Sequence, residues 1–214
     1  MDKGFITINN IIDVMKHLDG LQAVIFDLDD TLYSEKEYVR SGYIEVGKKV
    51  LKDIPDAGEK LWTAFQDGKS AFDVVLEDAG IWSDDLIKEC VRVYRWNEKP
   101  DIHLYDGVME MLRELKAGGY KLGMITDGRP EGQKAKIKAL GIESFIDHII
   151  ITDELGGVEY RKPNSKAFEL MKEYFENIPY EAMVYVGDNM NKDFIAPGKL
   201  GMKSIYFRNS DGLY

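Results

Sequence analysis

Asp27-Leu28-Asp29-Asp30-Thr31-Leu32-Tyr33 follows directly on the apolar run Leu21 to Phe26, and this junction decides the fold. An unbroken run of β-branched and aromatic residues reads as a strand buried on both faces of a parallel sheet. Asp27 is then the point at which the strand hands its backbone to solvent. Two carboxylates two positions apart at a strand mouth repel each other unless positive charge sits close by, and a divalent cation with phosphate chemistry would supply it. The plain alternative is a solvated acidic turn, so the rest of the chain has to arbitrate.

Outward from that junction, helix and strand alternate on the C-terminal side. Asp106 is placed to cap a helix with Val108, Met111, Leu112 and Leu115 buried, ending at Gly118-Gly119. Tyr120–Thr126 reads as a strand, Pro130–Leu140 as a helix stopped by Gly141, and His148–Thr152 as a strand. Pro163–Phe175 (helix), Met183–Val186 (strand), Asp193–Leu200 (short helix) and Ser204–Phe207 (strand) complete the series. Strands joined by helical crossovers make a doubly wound, Rossmann-like parallel sheet. Before the first strand, Ile11, Ile12, Met15 and Leu18 stand at helical spacing within Asn9–Leu18. Between Ser34 and about Pro100 the pattern is helix after helix, with Ser70 and Ser83 placed as caps. The expected organisation is an α/β core of residues 1–33 and 101–214 carrying an inserted helical subdomain of residues 34–100.

The 214 residues allow one good core and a smaller unit. A net charge of −10 argues against general binding to nucleic acid or acidic membranes. The single cysteine, Cys90, cannot form an internal disulfide, and three histidines without CxxC spacing propose no zinc site. The first twenty residues lack the long apolar core of a signal peptide, and no run reaches transmembrane length, so the expected compartment is the cytoplasm.

Ligands of such sheets bind beyond the carboxyl ends of the strands, where the strand order reverses. Polar residues should therefore end the other central strands, and they do: Thr126-Asp127-Gly128, Gly187-Asp188-Asn189, and Arg161-Lys162-Pro163 at a helix start. Each alone more often marks a turn, a cap or a solvated helix start than a site. Together, a DxDxT after a strand, a strand-ending Thr, a Lys-Pro and a GDNxxxD in this order resemble the haloacid dehalogenase superfamily from about Leu21 to Phe207, with the insert where that family carries a helical cap. Thr126-Asp127-Gly128 with Gln133 and Lys136, then Gly141 and Gly201-Met202, resembles the branch of pyrimidine 5′-nucleotidases and N-acylneuraminate 9-phosphatases.

The resemblance implies a phosphatase of a small phosphorylated metabolite, a sugar phosphate or nucleoside monophosphate. Asp27 would be the nucleophile and form an aspartyl-phosphate, with Asp29 as general acid and then base. Magnesium would be held by Asp27, the backbone carbonyl of Asp29 and Asp188, with Asp193 supporting that site or holding Lys162. Thr126, through its hydroxyl, and the Asp127 amide would bind phosphoryl oxygens, Lys162 would add positive charge, and Arg129 would contact the substrate. An acid at Asp29 favours phosphate esters over the carbon chemistry of the dehalogenases. A phosphosugar mutase of the superfamily keeps both carboxyls and stays open as an alternative, as does a signalling or non-catalytic phospho-Asp module. Two departures stand out. Asp127 occupies a position where the nucleotidase-like branch often has Asn, and Pro197-Gly198 interrupts the last short helix.

In the insert, Trp62, Trp82 and Trp96 with Tyr38, Tyr43 and Tyr94 read as bundle core or as stacking surfaces, and Lys36, Arg40, Arg92 and Arg95 as solvated or substrate-facing cations.

Overall fold

The computed structural model describes residues 5–176 and 178–213. Six strands form one parallel sheet: β1 (Ile6–Ile8), β2 (Ala23–Phe26), β3 (Lys121–Thr126), β4 (His148–Ile151), β5 (Met183–Gly187) and β6 (Lys203–Phe207), in the order β1-β6-β5-β2-β3-β4. β2 is central, with Phe26 in register with Met124 of β3 and Val186 of β5. From β2 the chain builds outward through β3 and β4, then returns to the other flank to lay down β5 and β6. The strand order therefore reverses at β2, and the crevice beyond its carboxyl end is the natural ligand position.

Alternation along β2 sorts the core into two layers. Val24 and Phe26 join Leu112, Leu115, Leu122, Met124 and Ile137, beneath α5 (Val108–Ala117) and α6 (Pro130–Leu140). Ala23 and Ile25 join Phe168, Met171, Tyr185 and Ala196, beneath α7 (Lys166–Tyr174) and α8 (Ile195–Leu200). The segment between β2 and α5 carries α1 (Glu35–Lys49), α2 (Ala57–Gln66), α3 (Ala71–Asp78) and α4 (Asp84–Arg95), which enclose a separate core of Tyr43, Val46, Leu61, Leu76 and Cys90. No helix among the described residues is long and apolar enough to cross a membrane.

Local differences from the sequence expectations have local causes. β1 carries no readable pattern because only Ile8 of its three residues is buried; it exists through pairing with β6. The amphipathic segment before β2 is a 3-10 helix, Ile11–His17, opened by the Asn10 side chain. Asp106 does not cap α5; Gly107 does, at φ 80, a left-handed geometry in which an aspartate is strained. Ser83 caps α4 as expected, whereas the Ser70 hydroxyl bonds to Asp73 and makes no cap bond. α7 starts three residues after Pro163, and α8 starts at Ile195, with Pro197 in its first turn where no backbone donor is needed. Two short 3-10 turns, Thr152–Leu155 and Val158–Tyr160, follow β4 around Gly156 (φ 148) and Gly157 (φ 136) and had no periodic signal.

α1 and α2 cross in near backbone contact. A Cβ on Gly58 would lie 2.8 Å from the Ile44 Cα, and one on Gly47 would lie 2.6 Å from the Gly58 nitrogen. Gly58→Ala is expected to destabilise the bundle by about 1–3 kcal/mol through overpacking, read as a lowered melting temperature; an unchanged melt would show that the helices can slide apart.

Candidate active site

Asp27 leaves β2 with its amide still donating to the Val186 carbonyl of β5 at 2.9 Å, so the sheet fixes its direction. The chain then doubles back through Asp30, a non-glycine residue at φ 53. That left-handed turn is held because the Asp30 carboxylate accepts from the amides of Glu35 (2.9 Å) and Leu213 (2.7 Å), and its carbonyl accepts from the Asn209 side chain at 2.8 Å. Asp27 and Asp29 consequently open onto one cavity of about 570 Å³, between the sheet mouth and the bundle.

Lys162 is the hub beside Asp27. Its wholly buried ammonium lies 2.8 Å from Asp27 Oδ1 and 2.9 Å from Asp193 Oδ1, and donates to the Tyr185 hydroxyl at 2.8 Å. Tyr185 in turn donates to the Ile125 carbonyl at 3.2 Å. Asp193 Oδ2 accepts from the Asn189 amide, and its Oδ1 meets Lys162 as an ion pair outside hydrogen-bond geometry. Gly187 is required here, because a Cβ would collide with the Asp193 carboxylate.

Asp29 sits in a second arrangement. Lys136 reaches its Oδ1 at 2.7 Å, Gln133 donates to its Oδ2 at 2.9 Å, and the Tyr33 hydroxyl donates to Oδ1. The same Gln133 nitrogen donates to Thr126 Oγ1, and Lys136 lies 4.2 Å from the Tyr38 ring centre. Thr126 is fully buried beneath this network, and the cavity wall there is formed by Asp127, Gly128 and Arg129. The Asp127 carboxylate is engaged by the Thr152 hydroxyl (2.9 Å), the Lys162 amide (3.1 Å) and, at 3.5 Å, Lys192.

Of the cations in the insert, Arg95 reaches the cavity, whereas Lys36, Arg40 and Arg92 pair with Asp211, Glu59 and Glu89. Tyr38 and Tyr94 line the cavity; Trp62 stacks on Phe65 in the bundle, and Trp82 and Trp96 are exposed away from it. Gln133 and Lys136 served in the sequence only as marks of a branch, Thr31 and Tyr33 only as parts of the opening stretch with no role of their own, and Thr152, Tyr185 and Lys192 carried no signal. Helical spacing places Gln133 and Lys136 on one face of α6, but what that face meets is a tertiary matter.

Burial pushes the Asp27 carboxyl up to about 6, with Asp193 adding to it and Lys162 opposing. Burial also lifts Asp188 to about 8, reinforced by Asp27, Asp193 and Asp30. For Asp29, burial is more than offset by Lys136, with Gln133 and Tyr33 also on the carboxylate, and the group is held below the ordinary range. The two members of the acidic pair are thus driven in opposite directions. Asp27, Asp188 and Asp193 each offer an oxygen within 4.8 Å of the others, while Thr31 donates to Asp188 at 3.2 Å. A crowded, oxygen-only donor set with unmet negative charge fits a hard divalent cation such as magnesium.

A model of the haloacid dehalogenase-like hydrolases matches residues 21–201. The chain therefore belongs to that family of hydrolases. It is 31% identical over 195 residues to the glyceraldehyde 3-phosphate phosphatase of Methanocaldococcus jannaschii, covering 86% of this chain and 84% of that one. Identity to the pyrophosphatase PpaX of Bacillus velezensis is 29% over 193 residues, covering 85% and 81%. The fold is shared with the magnesium-bound HAD hydrolase YfnB from Bacillus subtilis, at a TM-score of 0.64 and 19% identity, covering 87% and 86%.

The raised carboxyls make stability pH-dependent. Asp27 and Asp188 hold protons in the native state that the unfolded chain, with carboxyls near 3.8, has already released. The stability they contribute is complete below about pH 4 and is lost as pH rises through about 6 for Asp27 and about 8 for Asp188. Asp188→Asn should therefore melt higher than wild type in chelator near pH 8, by about 2–4 °C per kcal/mol relieved, and should gain less from added magnesium. A magnesium-induced rise in melting temperature as large in Asp188→Asn as in wild type would remove Asp188 from the proposed cation site.

Proposed function

We propose that this protein is a magnesium-dependent phosphatase of a small phosphomonoester, acting through an aspartyl-phosphate on Asp27. The observation that carries this reading is the buried Lys162 ammonium 2.8 Å from Asp27, with Asp29 on the same cavity. An isolated buried carboxylate would take up a proton and cease to be a nucleophile; the ammonium favours the ionised form. Asp27, the Asp29 carbonyl and Asp188 would hold the magnesium ion, with Asp193 anchoring Lys162. When bound, the ion supplies positive charge to the phosphoryl oxygens.

In the first half-reaction an Asp27 oxygen forms a bond to phosphorus as the ester oxygen departs with a proton from Asp29. In the second, Asp29 takes a proton from water, the resulting hydroxide bonds to phosphorus, and the bond to Asp27 breaks. Lys162 and the amides of Asp127 and Gly128 offset charge on the equatorial oxygens. Thr126 would join them by donating its hydroxyl hydrogen to a phosphoryl oxygen while its oxygen goes on accepting from Gln133. At rest Asp29 is in the base form; a phosphoryl dianion beside it and loss of water favour the proton needed for the first half.

Residues 34–100 serve as the cap, with Arg95 and Tyr94 lining the cavity together with Arg129. Volume and polar lining suit a small phosphorylated metabolite, the class to which the names of the relatives point, and the activity fits a cytoplasmic setting.

Phosphate release from a panel of sugar phosphates, triose phosphates, nucleoside monophosphates and pyrophosphate tests this. Asp27→Asn should abolish turnover while the protein stays folded, and chelation should do the same reversibly. Asp29→Asn should lower kcat by about 10²–10⁴. Undiminished activity in Asp27→Asn would overturn the nucleophile assignment; wild-type protein inert towards the whole panel would overturn the phosphatase reading.

A further inference from the structure

Gln133 and Lys136 lie one turn apart on α6, face the same way, and are only 3% and 4% exposed. A lysine is rarely buried to this degree. As a stabilising device the pair with Asp29 is a poor choice, since apolar residues in place of both partners would avoid the desolvation penalty of two charges. The geometry points instead to a role in the reaction. We propose that Gln133 and Lys136 are positioning residues that fix the Asp29 carboxylate in its acid–base orientation. The proposal rests on the reading of Asp29 given above.

A carboxylate offers about four lone-pair positions, two on each oxygen. Lys136 and Tyr33 both occupy Oδ1, and Gln133 occupies one position on Oδ2. One lone pair of Oδ2 therefore remains for the proton that Asp29 gives to the leaving oxygen and later takes from water. Gln133 also ties the carboxylate to a fixed reference. Its nitrogen bonds to Thr126 at the end of β3, a strand paired on both sides in the sheet, whereas Asp29 itself sits on a turn with a left-handed residue next to it. Lys136 in turn lies over the Tyr38 ring of α1, so the insert contributes a wall to the same arrangement.

The two half-reactions separate this role from a structural one. With p-nitrophenyl phosphate the leaving group departs without help, so a misaimed Asp29 slows only hydrolysis of the aspartyl-phosphate. With an alkyl phosphate both halves need Asp29. Lys136→Met in the presence of magnesium should therefore give a burst of p-nitrophenolate approaching one equivalent, followed by turnover slowed by about 10- to 100-fold, the scale of a modest misplacement. Ethyl phosphate turnover should fall at least as far with no burst, KM should change by less than about threefold, and Lys136→Arg should recover much of the loss. Gln133→Met, which adds no charge and keeps the volume, should give the same signature and serves if Lys136→Met folds poorly.

Asp29→Asn is the control. A burst in Asp29→Asn that is absent from folded Lys136→Met and Gln133→Met overturns the positioning role alone. Equal losses with both substrates and no burst, or unchanged rates, do the same. No burst in Asp29→Asn overturns the acid–base reading and this proposal with it.

Discussion

A single ammonium buried among carboxylates is the constraint on which the site depends. Lys162 is wholly enclosed, yet it is held charged because Asp27 and Asp193 both lie within 3 Å. Breaking such a buried pair leaves an uncompensated charge and typically costs about 3–5 kcal/mol, so the three residues have to be delivered together. β2 delivers Asp27, the turns after β4 deliver Lys162, and the loop after β5 delivers Asp193. Gly187 supplies the gap that lets Asp193 approach, and Tyr185, from the buried face of β5, gives the ammonium its third partner. The central strand, the sheet order and the glycine are all conditions for one charge cluster.

Around that hub the two carboxyls of the Asp27-Asp29 pair are separated in character by their partners. Asp27 shares one lysine with Asp193 and remains raised by burial, which leaves it short of positive charge. Asp29 has a lysine, an amide and a phenol of its own and is held ionised. Environments that drive neighbouring titratable groups apart are the physical basis for giving them different tasks. The deficit around Asp27, shared with Asp188, is what a divalent cation would relieve.

The helical insert contributes in a different way. Its core is independent of the sheet, built from Tyr43, Val46, Leu61 and Leu76, and its helices approach so closely that glycines are needed between α1 and α2. It meets the α/β unit at the cavity, placing Tyr38 over Lys136 and Arg95 in the cavity lining. Asp30 links the two units, since its carboxylate caps the amide of Glu35 at the start of α1 while its backbone shapes the turn that carries Asp29.

The chain by itself determined the parallel sheet, the helical insert, and the four polar stations at Asp27-Asp29, Thr126, Lys162 and Asp188, because strand burial and strand-ending polar residues are local patterns of period and position. It did not determine β1, whose three residues hold only through pairing with β6, or the start of α5, where a glycine conformation prevailed over an aspartate cap. Nor could it show that Thr126 lies beneath Gln133, that the Asp127 carboxylate is occupied by Thr152, or that Lys136 closes on Asp29 across 107 positions of sequence. Those pairings were decided by the tertiary structure alone. The partners come from separate elements, and buried charges choose among the donors that packing brings within reach.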